Sequence, residues 1–226
     1  MVTASTLAGA PQVVRQASAT TSSLDISSER PATSSGVVDI EYSTDDGVTW
    51  VTRAACACSL DATPISTTSE SSGTLPLVQN SNYPVRLRYV TIGGGVGDAS
   101  ATLIATTKMV APTVVQIIGH APHLAHMVAT FTQAPGGSAT VAAYEYSLDG
   151  GSTWLNTPGN TFPPGGTYAQ HIENNPAGGL LLPNTEYDMM LRGINAAGRG
   201  DATTPVRSAT PPFIPNGVVV SGATAS

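Results

Sequence analysis

Short apolar runs alternate with polar residues along the whole chain, and no segment sustains a 3.6-residue apolar stripe. Period-two alternation or β-branched content marks residues 11–15, 22–27, 37–43, 48–53, 83–91 and 99–107. It returns at 112–118, 126–132, 141–147, 152–156, 186–194 and 202–209. Gly, Pro, Asn and Asp clusters separate these segments. Many short strands punctuated in this way predict an all-β sandwich architecture and no long helix. Two stretches break the rhythm. Residues 54–82 are rich in Ser and Thr, and 157–185 contain Pro158, Pro163, Pro164, Pro176 and paired glycines. Both are expected to be long loops that contact neighbouring subunits.

The pattern occurs twice. Residues 40–50 read IEYSTDDGVTW and residues 144–154 read YEYSLDGGSTW, with Trp50 and Trp154 separated by 104 positions (154 − 50). Tyr42 and Tyr146, Tyr83 and Tyr187, Leu87 and Leu191, and Arg88 and Arg192 keep the same offset. A constant offset over this span means two copies of one domain. The expected division is residues 1–107, residues 108–210 and a tail over 211–226.

Within the shared motif, Asp45-Asp46-Gly47 and Asp149-Gly150-Gly151 supply a tight connection, because Asp and Gly tolerate the positive φ of hairpin turns. The aromatic residues Tyr42, Trp50, Tyr83, Tyr146, Trp154 and Tyr187 are predicted to form the structural core. Leu182-Pro183-Asn184-Thr185-Glu186-Tyr187, the strand after it, and the turn Asn195-Ala196-Ala197-Gly198-Arg199-Gly200 together resemble the fibronectin type III family. Tyr83-Pro84-Val85-Arg86-Leu87-Arg88-Tyr89 is a looser match in the first copy, and Ala10-Pro11 rhymes with Ala111-Pro112. The resemblance implies two tandem fibronectin type III-like (Ig-like) β-sandwiches. It makes Tyr187 a corner tyrosine whose hydroxyl ties the E–F connection to strand F. One departure stands out. Ser28 and Thr132 lie about where the family places a strand-B tryptophan, so the core aromatic is expected to have moved to Trp50 and Trp154. The Y-S-x-D-x-G-x-T-W variant is similar to modules of bacterial and bacteriophage surface proteins.

Composition narrows the function. Charged residues are only 11% of the chain, against roughly 25% in ordinary domains. Small uncharged side chains lose little rotamer entropy on burial, so such a surface suits packing in an assembly; a Thr/Ser-biased β surface reads equally well. Nine basic and fifteen acidic residues give a net charge of −6 with no basic run, which argues against nucleic acid as a partner. No apolar stretch approaches the length of about 18 residues that a membrane helix needs. The opening MVTASTLAGA lacks a signal-peptide pattern, and synthesis in a cytosol is expected.

Candidate chemistry is sparse. Cys56 and Cys58 are too close in sequence for a good mutual disulfide and too few for a zinc site; small half-buried residues, an intermolecular disulfide or a shared metal all remain open. Asp45, Asp46 and Asp149 could suggest calcium, but they fit the hairpin turn better. His120, His123 and His126 form an H-x-x-H-x-x-H series, which on one strand would alternate faces and spoil chelation, while on a loop containing Pro122 the geometry stays open; a bound metal and a pH-sensitive contact are the minor readings, an ordinary A–B connection the main one, and His171 stands alone. Arg199-Gly200-Asp201 is explained by its turn. No G-x-S-x-G elbow or H-E-x-x-H pair occurs. No cofactor, no metal and no catalytic activity are expected.

Two functions follow as expectations. The first is a structural virion protein of a tailed bacteriophage, decorating the capsid or associated with the tail, made in the host cytoplasm. Its partners would be the major capsid or tail protein and, within the assembly, other copies of itself. The tail residues Phe213, Val218, Val219 and Val220 would add a strand to a neighbour or pack on their own domain. The alternative is a bacterial surface carbohydrate-binding or adhesion module, with a host glycan stacked on Tyr89, Phe162 or Tyr168.

Overall fold

The computed structural model describes residues 7–32, 36–53, 64–73, 75–120, 125–157, 162 and 165–213. Its strands are β1 (Gln12–Ala19), β2 (Leu24–Glu29), β3 (Val37–Ser43), β4 (Val51–Thr52), β5 (Ile65–Thr67), β6 (Asn82–Thr91) and β7 (Leu103–Thr106). They continue as β8 (Thr113–His120), β9 (His126–Thr132), β10 (Ala143–Ser147), β11 (Leu155–Asn156), β12 (Thr167–Ile172), β13 (Glu186–Asn195), β14 (Gly198–Ala202) and β15 (Val206–Ala209). The chain is all-β, and its strand-to-strand pairings are antiparallel.

Two sandwiches result. In the first, the sheet β1-β2-β5 packs on β4-β3-β6-β7. In the second, β8-β9-β12 packs on β11-β10-β13, with β14 and β15 successively along the far side of β13. In strand letters this is A-B-E against C′-C-F-G, the arrangement of a fibronectin type III-like sandwich, with the last strand of the second copy broken in two. Registers repeat at the sequence offset: Tyr42 lies opposite Leu87, and Tyr146 opposite Leu191.

Alternation drives the burial. Along β6 the inward side chains are Tyr83, Val85, Leu87 and Tyr89, and along β13 they include Met189 and Leu191. They meet Leu24, Ile26 and Ile65 from the opposing sheet of the first sandwich, and Met127, Ala129, Phe131 and Ile172 in the second. The corner tyrosine is present in both copies. The Tyr187 hydroxyl accepts the Leu182 N–H at 2.9 Å, and the Tyr83 hydroxyl accepts the Val78 N–H at 2.6 Å.

The predicted aromatic core needs correction. Tyr83 and Tyr146 are buried, and Tyr42 and Tyr187 pack partly buried against their cores, but Trp50 and Trp154 are only half-buried and belong to neither core cluster. The pleat explains it. Leu87 points inward, so its neighbour Arg88 points outward with Glu41, and Trp50 lies on that outer face beneath the guanidinium. The central aromatics are Tyr89 in the first copy, and Phe131, Tyr144 and Phe162 in the second. Phe131 and Tyr144 are 4.7 Å apart between ring centroids, Tyr144 and Phe162 4.8 Å, with Tyr168 5.0 Å from Phe162.

The expected loops also hold structure. Residues 54–82 contain β5 and a bridge between Ser69 and Pro76, while 157–185 contain β12 and bridges at Phe162 and Leu180. Both strands are strand E, which closes the smaller sheet. Phe131→Ala should therefore destabilise the protein by about 3–5 kcal/mol. Trp50→Ala or Trp154→Ala should cost less, about 1–2 kcal/mol for a cation–π contact and one hydrogen bond. Urea unfolding of the three variants checks the order.

Candidate interaction surfaces

The repeated hairpin is a closed hydrogen-bond unit. In the first copy the Ser43 hydroxyl donates to Asp45 Oδ1 at 2.7 Å, and the Thr49 backbone N–H and hydroxyl donate to the same carboxylate at 2.9 and 2.5 Å. Gly47, at φ +90°, donates its N–H to Ser43 Oγ, and the Trp50 indole N–H donates to the Gly47 carbonyl at 2.9 Å. The second copy repeats each bond: Ser147 and Thr153 on Asp149, Gly151 on Ser147, and Trp154 on the Gly151 carbonyl. Partial desolvation pushes the Asp45 and Asp149 carboxyls up. The donated hydrogen bonds, led by those from Thr49 and Thr153, outweigh it and hold both at about 2. These oxygens are engaged inside the turn, and among the described residues no group of three or more donors is set to hold a metal ion.

Each hairpin is clasped from outside by an arginine. Arg88 Nε sits 2.6 Å from Glu41 Oε2, with its guanidinium carbon 4.2 Å from the Trp50 ring centroid; Arg192 Nε sits 2.7 Å from Glu145 Oε2, with its guanidinium carbon 3.8 Å from the Trp154 ring centroid. Glu145 also takes Arg199, from β14, at 3.1 Å. Burial pushes the Glu145 carboxyl up, and the hydrogen bonds and charges of Arg199 and Arg192 reverse this to hold it below its ordinary range. Arg199-Gly200-Asp201 is thus part of a strand rather than a projecting tip. The guanidinium is engaged with Glu145, a Cβ at Gly200 would collide with Met109, and the Asp201 N–H donates to the Met109 carbonyl.

A third set of contacts joins the sandwiches. Asn80, fully buried at φ +50°, lies in the turn before β6. Its N–H donates to the Lys108 carbonyl, and its Nδ2 to the Ala139 carbonyl at 3.1 Å. Its own carbonyl accepts the Ala139 N–H, and its Oδ1 accepts Asn195 Nδ2 at 2.9 Å. Asn195 also donates to the Thr107 carbonyl at 2.8 Å and accepts the Ala197 N–H, so one amide binds the linker, the first sandwich and its own turn. Around this centre Ser138 receives the Asn82 N–H, Gln79 reaches the Pro135 carbonyl, and Val78 approaches Gly136. Gly137 is required here, because a Cβ would strike the Asn80 carbonyl. Asn195 belongs to a turn visible in the sequence, but nothing in the sequence says that it reaches 115 positions back to Asn80.

The isolation expected of His171 is also revised. His120 and His126 are cross-strand partners in the β8–β9 pair, with rings stacked at 5.1 Å, and His171 from β12 stacks on His126 at 5.6 Å. His120 and His126 thus flank the connection between β8 and β9, as the A–B reading expects, but His171 is not alone. The stack is hidden in the sequence because β12 lies in a stretch that reads as loop. His123, Cys56, Cys58, Val218, Val219 and Val220 lie outside the described residues. Phe213, beyond the last strand, is 46% exposed. The aromatics proposed to stack on sugar do not offer a platform: Tyr89 and Phe162 are buried, and Tyr168 packs into the Phe131–Phe162 cluster.

These features define a tandem of two fibronectin type III-like sandwiches whose polar groups chiefly serve turns, clasps and the joint. No protein-family model matches the sequence, and a search of curated proteins found no relative. Among solved structures the chain is similar to the FN1–FN3 domains of chicken CNTN1, at 15% identity and a TM-score of 0.33, over 92% of this chain and 67% of that one. So loose a superposition carries no argument, and the fold class rests on the strand order and register above.

Two outcomes follow. Asp45 and Asp149 have folded pKa values near 2, below the ordinary 3.8, so their contribution to stability is complete above pH of about 4 and is lost as pH falls toward 2. Thermal melts across that range should show a smaller acid-induced drop for the D45N/D149N double variant. Separately, Asn195→Ala leaves Asn80 Oδ1 and the Thr107 carbonyl short of a buried donor, a loss of about 1–3 kcal/mol. Calorimetry should show one transition for the parent chain splitting into two for N195A combined with N80G, which keeps the positive φ.

Proposed function

We propose that this chain is a non-enzymatic structural protein of a virus particle, a capsid-decoration or tail-associated protein of a tailed bacteriophage that works through protein–protein contacts. The observation that carries the reading is the joint. Two small sandwiches are fixed to one another by a buried, mutually satisfied amide network, as suits a part that must hold a set orientation on a scaffold. The repeated hairpin, similar to those of bacteriophage surface modules, and the charge-poor Ser/Thr surface support the same reading. Arginines at 15, 86, 88, 192, 199 and 207 pair with carboxylates, which speaks against a phosphate-binding face. Among the described residues no helix is long and apolar enough to cross a membrane. The partners in this reading are the major capsid or tail protein and further copies of the chain, with the protein located in the virion.

Co-sedimentation with particles lacking the protein tests it, with a version cut after Pro211 as control. Saturable binding at a fixed ratio to the major capsid or tail protein is the expected result, with loss on truncation assigning the anchor to the tail. No binding to capsids or tails would sink the proposal and turn attention to a host surface glycan.

A further inference from the structure

The joint is built twice, but among the described residues only one of the two is occupied. In the first sandwich the Asn80 turn is held by a fixed set of bonds. The Asn80 N–H goes to the Lys108 carbonyl, the Ser81 N–H to the Thr107 hydroxyl at 2.9 Å, and that hydroxyl to the Val78 carbonyl at 2.6 Å. The second sandwich repeats them. The Asn184 N–H goes to the Pro211 carbonyl, the Thr185 N–H to the Thr210 hydroxyl at 3.1 Å, and that hydroxyl to the Leu182 carbonyl at 2.5 Å. Asn80 and Asn184 share an unusual backbone, φ +50° and +49°. Their surroundings differ. Asn80 is covered by Ala139 and Asn195 of the next sandwich, whereas Asn184 is exposed. Beside Asn184, Leu182 is 61% exposed, with Leu180, Ile118 and Phe213 also open.

At the opposite extremity, the first sandwich has the end that in the second sandwich fills the joint. Its F–G turn carries Ile92, 72% exposed, with Val96 and Leu7 beside it; a Cβ on Gly95 would lie 3.4 Å from Leu7 Cδ2. We propose that the Asn184 end of the second sandwich docks the Leu7–Ile92–Val96 end of the first sandwich in a second copy of this chain, repeating between molecules the joint already made within one. The occupant is argued from continuity with that joint, since the same turn already receives the same end of a sandwich. It is argued also from the match of two apolar extremities. One substitution alters the chemistry: Thr91 stands where the second sandwich has Asn195, so the contact relies on Ile92 and Val96 rather than on an amide bridge. A head-to-tail contact of this kind is heterologous and does not close, so it extends into linear assemblies. A single sandwich end is a small interface, so the association is weak and rises with concentration. The inference does not depend on the virion reading.

Sedimentation velocity of the purified chain from micromolar to millimolar concentration tests it, with Leu182→Glu and Ile92→Glu as variants. Both positions are exposed, so each variant should fold, which an unchanged melting temperature verifies. The expected result is concentration-dependent growth of the parent beyond dimers, and monomers for each variant alone. An equimolar mixture should form dimers that do not extend, because each variant retains one intact end. A parent that stays monomeric would overturn the proposal, as would growth insensitive to both charges. So would variants that fail to complement one another, because that marks a self-complementary contact, or association only after residues 214–226 are removed, because that makes the tail the occupant.

Discussion

The buried side chain of Asn80 is the contact on which the shape of this protein depends. A polar group with no access to water is tolerated only when its donors and acceptors are met, and here four bonds meet those of the side chain and its backbone: one to Lys108, one to each backbone group of Ala139, and one to Asn195. Each bond constrains direction as well as distance. An apolar joint of the same area would hold the sandwiches together while permitting them to slide. The amide network selects one arrangement, and its requirements spread outward. The positive φ of Asn80 shapes the turn, Gly137 must lack a Cβ, and Asn195 must sit where its hairpin places it.

Inside each sandwich the work is divided between two faces of one sheet. The inner face of β6 or β13 packs aliphatic and aromatic side chains, while the outer face holds the carboxylate–arginine–tryptophan clasp over the hairpin. Glu145 shows how tightly ionic groups are committed in a chain with so few of them, since one nearly buried carboxylate receives two guanidiniums from adjacent strands. That commitment leaves Ser and Thr to supply most of the remaining polar surface.

Much of this was legible in the sequence. The offset shared by Tyr42, Leu87 and Arg88 with their counterparts fixes both copies and their internal register, and Tyr187 reads correctly as the corner residue. What failed did so for physical reasons. The size of the tryptophans suggests burial, but facing direction follows the pleat, and Arg88, which covers Trp50, faces out. Strand E escaped notice because three to six residues in a Ser- or Gly-rich stretch carry too little alternation, and with β12 went the stacking of His171 on His126. The joint was invisible because it unites residues far apart in sequence whose types are ordinary in turns.

The two copies diverge most where their surroundings differ. Their hairpins, clasps and corner tyrosines keep a single offset, yet the offset slips by one residue at the F–G turn. The first copy closes it from Thr91 to Gly95, and the second from Asn195 to Gly198. The shorter turn is the one pressed into the joint, where Ala197 packs against the core of the first sandwich. The longer turn meets no second sandwich among the described residues; its contacts are to its own, with the Ile92 N–H donating to the Gly36 carbonyl and Leu7 beside Gly95. It carries Gly93 and Gly94 at positive φ and an exposed Ile92 where the second copy has Ala196. A turn packed against a second sandwich must fit it, whereas the turn that meets none among the described residues presents the apolar Ile92 side chain outward.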